Sequence, residues 1–252
     1  MADLLGSARR LAGGLFGRRF SHVVPLGASC RVTWQLRTFF RDGRAYPFDW
    51  WASTVDGLAA YLEVMDPSRI YGVGGLEELV EDGRVTTIRS REFGFQLYHE
   101  FPRHRGPTGA SEVSPGWEAH VAAAAKRHAD RLERLRGLDR KGNRILFVRH
   151  KYAFEPGPAG DPAPSVARLL RSLDTGWSRA RFTLLLVNFP DGYEPPTRVL
   201  SLRFDDPPGP APEEWRGDKA IWENALRSLG LSLRASAADR EQRPPGPYGP
   251  PN

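Results

Sequence analysis

A single cysteine, Cys30, occurs in the 252 residues. One thiol excludes an intramolecular disulfide and any cysteine-rich zinc site, so the fold needs no oxidising compartment. Lysine is nearly as scarce. It stands only at Lys126, Lys141, Lys151 and Lys219, so the net charge of +6 is carried almost wholly by arginine. Arg-rich, Lys-poor usage is a common compositional bias. The other reading, a basic surface for phosphate or nucleic acid, would need a dense basic run with interleaved aromatics, and none is present. No apolar run approaches the roughly 20 residues that span a bilayer. Gly72, Gly74 and Gly75 lack the spacing and the strand-to-helix context of a dinucleotide or phosphate loop. These gaps leave a soluble chain suited to a reducing cytoplasm, with no metal or cofactor motif.

What is present suffices for one core. A chain of this length with 40% hydrophobic residues can bury a full-sized domain. Three parts are expected. Residues 1–20 form a basic segment with Leu4, Leu5, Leu11, Leu15 and Phe16 among Arg9, Arg10, Arg18 and Arg19. It is either a short amphipathic helix that touches a membrane surface or a partner, or a loosely docked terminus. Residues 21–234 form a single α/β domain. Residues 235–252 form a polar, Pro-rich tail expected to be disordered.

The centre of the chain is residues 23–51. An apolar run at 23–26 reads as a buried strand, and Gly27, Ala28 and Ser29 make a turn. Cys30 then opens a helix on which Val32, Leu36, Phe39 and Phe40 recur at helical spacing. A helix N-terminus carries partial positive charge, which lowers a thiol's pKa. The stretch closes on Tyr46-Pro47-Phe48-Asp49-Trp50-Trp51, a carboxylate among aromatics.

Further along, Ser53 or Thr54 caps a helix ending near Pro67, and a short stretch follows at 76–80. Residues 84–89 and 93–98 read as two strands, the second from the alternation of Phe93, Phe95 and Leu97. Residues 117–135 carry the longest helical pattern, with His120 and His128 among charges that mark both as solvated. Residues 145–148 and 182–187 are buried strands separated by a helix at 165–173. A further strand falls at 198–204 and a last helix at 219–229. Strands alternating with helices predict a mostly parallel sheet covered on both faces, a Rossmann-like three-layer α/β fold with a β-hairpin insertion.

In such sheets ligands bind at the carboxyl ends of the strands. Cys30, His150 and Asn188 all fall just past such ends, and His99 also follows a predicted strand. Cys30 is thus a candidate nucleophile, or else a small buried hydrophobe. His99 and His150 compete as base, and Asn188 could orient His150. Asp49 could orient a histidine or hold an arginine such as Arg37, and burial would raise its pKa. Trp50 could stack on a ligand ring. The amides around Gly27 and Ser29 could instead hold a phosphorylated or glycan ligand with no nucleophile involved.

The segments LGASC at 26–30, Leu36-Arg37 and YPFDWW at 46–51 resemble a bacterial family of unestablished function whose members are classed as papain-like cysteine peptidases. His99-Glu100-Phe101-Pro102, the strand at 145–149, and Trp215-Arg216-Gly217-Asp218 with Trp222 resemble its later segments. The resemblance covers roughly residues 20–230. It implies a thiol hydrolase acting on a peptide or related substrate. Cys30 would be nucleophile, His99 base, and Asp49 or Glu100 the third member. It also implies a papain-like α+β fold as the alternative. The chain departs from true papain enzymes in two places. Arg31 follows the cysteine directly, and Val24, Pro25 and Leu26 stand where an oxyanion glutamine would be.

Overall fold

The computed structural model describes residues 18–151, 162–190, 195–196, 198–206 and 215–233. The basic segment up to residue 17 and the Pro-rich tail at 235–252 lie outside the described residues. The chain enters through β1 (Arg18–Phe20) and β2 (His22–Pro25), then α1 (Cys30–Phe40), α2 (Val55–Val64) and the short α3 (Ser68–Tyr71). Two small hairpins follow, β3 (Leu76–Glu81) with β4 (Arg84–Ser90) and β5 (Arg103–Arg105) with β6 (Ser111–Val113). A 3-10 turn at Trp117–His120 leads into α4 (Val121–Arg136). The remainder is β7 (Arg144–His150), α5 (Ala163–Gly176), β8 (Arg181–Val187), β9 (Val199–Leu202), α6 (Lys219–Ser228) and β10 (Leu231–Leu233).

Strands β2, β7, β8 and β9 form one parallel sheet in that order. The three strand segments expected to share a sheet do share it. Alternate residues supply two cores. Val24, Ile145, Phe147, Leu184 and Leu186 face a cluster with Leu58 and Tyr61 of α2, Leu132 of α4 and Leu169 of α5. Val23, Leu146, Val148, Leu185 and Val187 face Val32 and Leu36 of α1 and Trp222 and Leu226 of α6. Burial on both faces is why β7 and β8 read as unbroken apolar runs. Pro25, which has no N–H to give, sits in β2 at the edge of this sheet, where a missing donor breaks no ladder.

Helix boundaries follow their capping residues. Thr54 Oγ1 accepts from Gly57 N at 3.0 Å and starts α2. Asp218 accepts from Ala220 N and Ile221 N, at 2.7 and 3.1 Å, and starts α6. The hairpin differs from expectation. Strand β4 pairs with β3 through an Asp82-Gly83 turn in which both residues have positive φ. Residues 93–98 form no strand beyond bridges from Gln96 to Ala52 and Arg89. Gly94 adopts φ 67° within a turn closed from Ser90 N to Phe95 O, and this breaks the extended run. Phe93, Phe95 and Leu97 are buried nonetheless, so their alternation reports packing rather than pairing.

Candidate functional site

Immediately after β2, Gly27 has φ 74° and Ala28 has φ 87°. The second lies where L-residues are strained, and a methyl group is among the smallest side chains that could sit there. A Cβ on Gly27 would stand 2.8 Å from Ser53 Oγ and 3.4 Å from Trp51 O, so only glycine fits. Buried Arg149 fastens this turn. It donates to Leu26 O at 3.1 Å, to Ser53 Oγ at 2.8 Å and to Ser53 O at 2.5 Å. Ala28 N also donates to Ser53 Oγ, at 3.4 Å. A charged residue in an apolar strand was the visible sign of this role, and sequence reasoning passed over it. Ser29 is the extended N-cap of α1, yet its hydroxyl makes no cap bond. That oxygen is buried with no hydrogen-bond partner among the described residues.

Cys30 is the first residue of α1 and is half-buried. Its Sγ donates to Trp50 O at 3.7 Å. Burial pushes the thiol up from 9.0 to about 12, against a smaller lowering by backbone hydrogen bonding. The expected thiolate is therefore absent at rest. A helix terminus contributes up to ~1 kcal/mol at ordinary sites. A rise from 9.0 to about 12 corresponds to ~4 kcal/mol against the charged form, so burial wins.

Trp50 links the cysteine to its surroundings. Its indole lies 5.7 Å edge-on from the His99 ring and 6.3 Å from the Trp215 ring. The Arg37 guanidinium lies 5.5 Å from its centroid. His99 also packs on Tyr98 at 5.0 Å. Burial, with help from the Arg103 charge, pushes its imidazole down to about 4. It is neutral near pH 7, with a free ring nitrogen for a proton but a weaker base than an ordinary imidazole.

Both candidate third members are held by arginines. Asp49 is fully buried, pairs with Arg37 and accepts from Tyr46 N at 2.9 Å. Its Oδ1 has no hydrogen-bond partner among the described residues. Burial raises its carboxyl to about 6 despite the opposing Arg37 charge. Glu100 bonds Arg127 and Arg131 of α4, at 3.3 and 3.2 Å, and accepts from Trp51 Nε1 at 3.4 Å. Among the described residues no carboxylate reaches the His99 ring.

His150 sits elsewhere. It is buried beneath α6, 5.3 Å from the Trp222 ring, with Nε2 3.5 Å from Asp206 Oδ2. Burial, with the Arg31 and Arg149 charges, pushes it down to about 3. Asn188 does not orient it. With φ 57°, Asn188 turns the chain after β8, and its Oδ1 accepts from Phe204 N at 3.0 Å. The carboxylate facing His150 is Asp206, which no local pattern in the sequence had marked.

Asp206 also pairs with Arg31 at 2.9 Å, and both side chains are buried. Arg31 Nε donates to Trp215 O at 2.9 Å, and Gln35 Nε2 donates to Arg216 O at 2.7 Å. Gly217, at φ 71°, leaves the room: a Cβ there would lie 2.9 Å from Asp206 Oδ1 and 3.1 Å from Arg31 Cδ. Residues 215–217 are thereby laid along the first turns of α1, against Arg31 and Gln35.

Comparison of the chain with protein-family models, curated proteins and solved structures finds no match.

His128 corrects the expectation of a solvated residue. It is fully buried, stacked on Trp51 at 4.7 Å and hydrogen-bonded to Tyr61 Oη at 2.6 Å. It serves the core behind the site. His120 is exposed, as expected. Among the described residues no cluster of three or more His, Cys, Asp or Glu side chains could hold a metal ion, and no helix is long and apolar enough to cross a membrane. What the turn offers chemically is a neutral, half-buried thiol at a helix start. Trp50, whose carbonyl accepts from the thiol, carries a neutral imidazole against its ring.

Proposed function

We propose that the protein is a thiol hydrolase in which Cys30 attacks an acyl carbon and His99 manages the proton. The observation that carries this reading is the place of Cys30. It is partly accessible, first on α1 and beyond the carboxyl end of a parallel strand, and its Sγ bonds the backbone carbonyl of Trp50, whose indole packs on His99. Because the thiol is neutral at rest, attack is general-base catalysed. Sγ bonds to the carbonyl carbon as its proton passes to the neutral His99 ring. The oxyanion meets the first amides of α1, which have no intrahelical partner. His99 then protonates the departing nitrogen or oxygen, leaving a thioester. Water attacks that carbon, gives its proton to His99, and releases the acid as the proton returns to the thiolate.

The resemblance to papain-like peptidases narrows the acyl group to a peptide. The parallel sheet with helices on both faces favours a Rossmann-like scaffold for that chemistry over a papain-like one. A free nucleophilic thiol suits the cytoplasm.

A second reading has its own support. Asp49 and Glu100 are both committed to arginines, which leaves His99 without an orienting carboxylate. On that reading the turn binds a phosphorylated or glycan ligand without covalent chemistry. The two separate on p-nitrophenyl acetate. The hydrolase reading expects an acetyl group on Cys30 by mass spectrometry and turnover that Cys30→Ser and His99→Ala each abolish, with circular dichroism unchanged. Undiminished turnover in Cys30→Ser would place the chemistry elsewhere.

A further inference from the structure

Arg31 in the first turn of α1, Arg37 in its last and Arg216 on the segment laid along it invite comparison, and two of them have carboxylates. Arg31 pairs with Asp206, and Arg37 with Asp49. Arg216 has none. Its guanidinium carbon lies 5.5 Å from the ring centroid of Trp34 and 5.5 Å from that of Trp215. Its Nε is buried without a hydrogen-bond partner, and no ion pair reaches it among the described residues. Two indoles hold the guanidinium in place, and the donors left over are those on its edge. That edge is the fork that reads carboxylates and phosphates. Its backbone is held as well, through Gln35 Nε2 on Arg216 O. A buried, unmet donor on a fixed cation is costly unless something completes it.

The position of Arg216 relates it to the reactive turn. Trp34 follows Cys30 by four residues on α1, so the two side chains share a face. Arg216 is carried to that same face by its contact with the Trp34 ring. Trp50, whose carbonyl accepts from Cys30 Sγ, packs edge-on against Trp215 at 6.3 Å, which joins the two places.

We propose that Arg216 binds an anionic group (a carboxylate, phosphate or sulfate) of the ligand that reacts at Cys30, with the indoles of Trp34 and Trp215 pre-positioning the guanidinium. The inference rests on the hydrolase reading for what happens at Cys30. It adds the substrate class: an acyl compound bearing an oxyanion several bonds from its reacting carbon.

Inorganic phosphate is the probe. It is titrated into the full chain at constant ionic strength, with tryptophan emission as the readout, since Trp34 and Trp215 flank the site. The wild type should give a saturable change. Arg216→Gln should weaken it at least tenfold, and Arg216→Lys, a point charge without the fork, should fall between. No saturable change in the wild type, or equal binding by Arg216→Gln, overturns the proposal. In parallel, Cys30 is labelled with iodoacetamide across pH. If the thiol never reacts while phosphate binding still depends on Arg216, the hydrolase reading fails and the anion site stands. If the thiol reacts while Arg216→Gln binds phosphate like the wild type, the anion site fails and the hydrolase reading stands.

Discussion

Gly217→Ala tests whether the buried Arg31–Asp206 pair is what holds residues 215–217 against α1. Two costs add. The residue has φ 71°, and an L-side chain in the left-handed region costs ~1–2 kcal/mol. The new Cβ would also lie 2.9 Å from Asp206 Oδ1 and 3.1 and 3.2 Å from Arg31 Cδ and Nε. Neither group can yield freely, because both are buried and joined to each other at 2.9 Å. Breaking a buried pair outright costs ~3–5 kcal/mol, and displacing it by a fraction of an ångström costs a part of that. A loss of roughly 3–5 kcal/mol follows for the variant. Gly83→Ala is the control. It has φ 75° with nothing within 4 Å of its Cβ, so it carries the backbone cost alone. Urea unfolding of the two variants at one pH isolates the difference, provided the slopes agree. Equal losses, within ~0.5 kcal/mol, would refute the packing argument, because surface-like effects are of that size.

Acid should destabilise the protein well above the ordinary carboxylate range. His128 and His150 stay neutral when folded, down to about 3, and charge when unfolded. The stability each lends is full above its unfolded pKa and is lost as pH falls toward the folded one, ~2 kcal/mol apiece between about pH 7 and about pH 5. Asp49, raised to about 6, takes up its proton in the same window and returns ~1 kcal/mol, so the histidines win. Denaturant curves of His128→Gln should show a flatter pH dependence, and a slope parallel to the wild type would count against this. Iodoacetamide should modify Cys30 at a rate that climbs with pH beyond the alkaline range of a free thiol and lies ~10³-fold below it near pH 8. A plateau near neutrality would mean the thiol is activated after all. Asn188→Gly should lose ~1 kcal/mol with the Phe204 bond, and Asn188→Ala about twice that through its φ of 57°. The reverse order would exclude a backbone role.

Much of the sheet was legible because its signal is local. Four consecutive apolar residues at 145–148 can only be a strand buried on both sides or a piece of buried helix, and the neighbouring turn residues settle which. The Cys30 turn was legible for the same reason. Gly27 and the helical recurrence of Val32 and Leu36 stand within a few positions of it. His128 was misread because its chain neighbours are charged. The helical stripe of Ala124, His128, Leu132 and Leu135, all buried, places it inward, and face outweighs sequence neighbours on a helix. The Arg31–Asp206 pair spans 175 residues and leaves no local trace. The electrostatics of Cys30 went unread for a related cause. The helix start is visible in sequence, whereas the desolvation that outweighs it is made by Trp50 and the layers behind.

The pairing of β1 with β10 bears on the order in which the molecule assembles. Arg18 opposes Leu231 in a three-residue parallel ladder. Closing a loop of roughly 210 residues costs ~5 kcal/mol of chain entropy by itself, more than about three ladder bonds at ~1 kcal/mol each return unaided. The ladder can form only after the intervening units have shortened that loop by folding. The β3–β4 hairpin, whose strands are two residues apart, carries no such penalty. Native-state hydrogen exchange should find the amides of β1 and β10 opening first and those of β7 and β8 last, as befits a latch closed over a finished core.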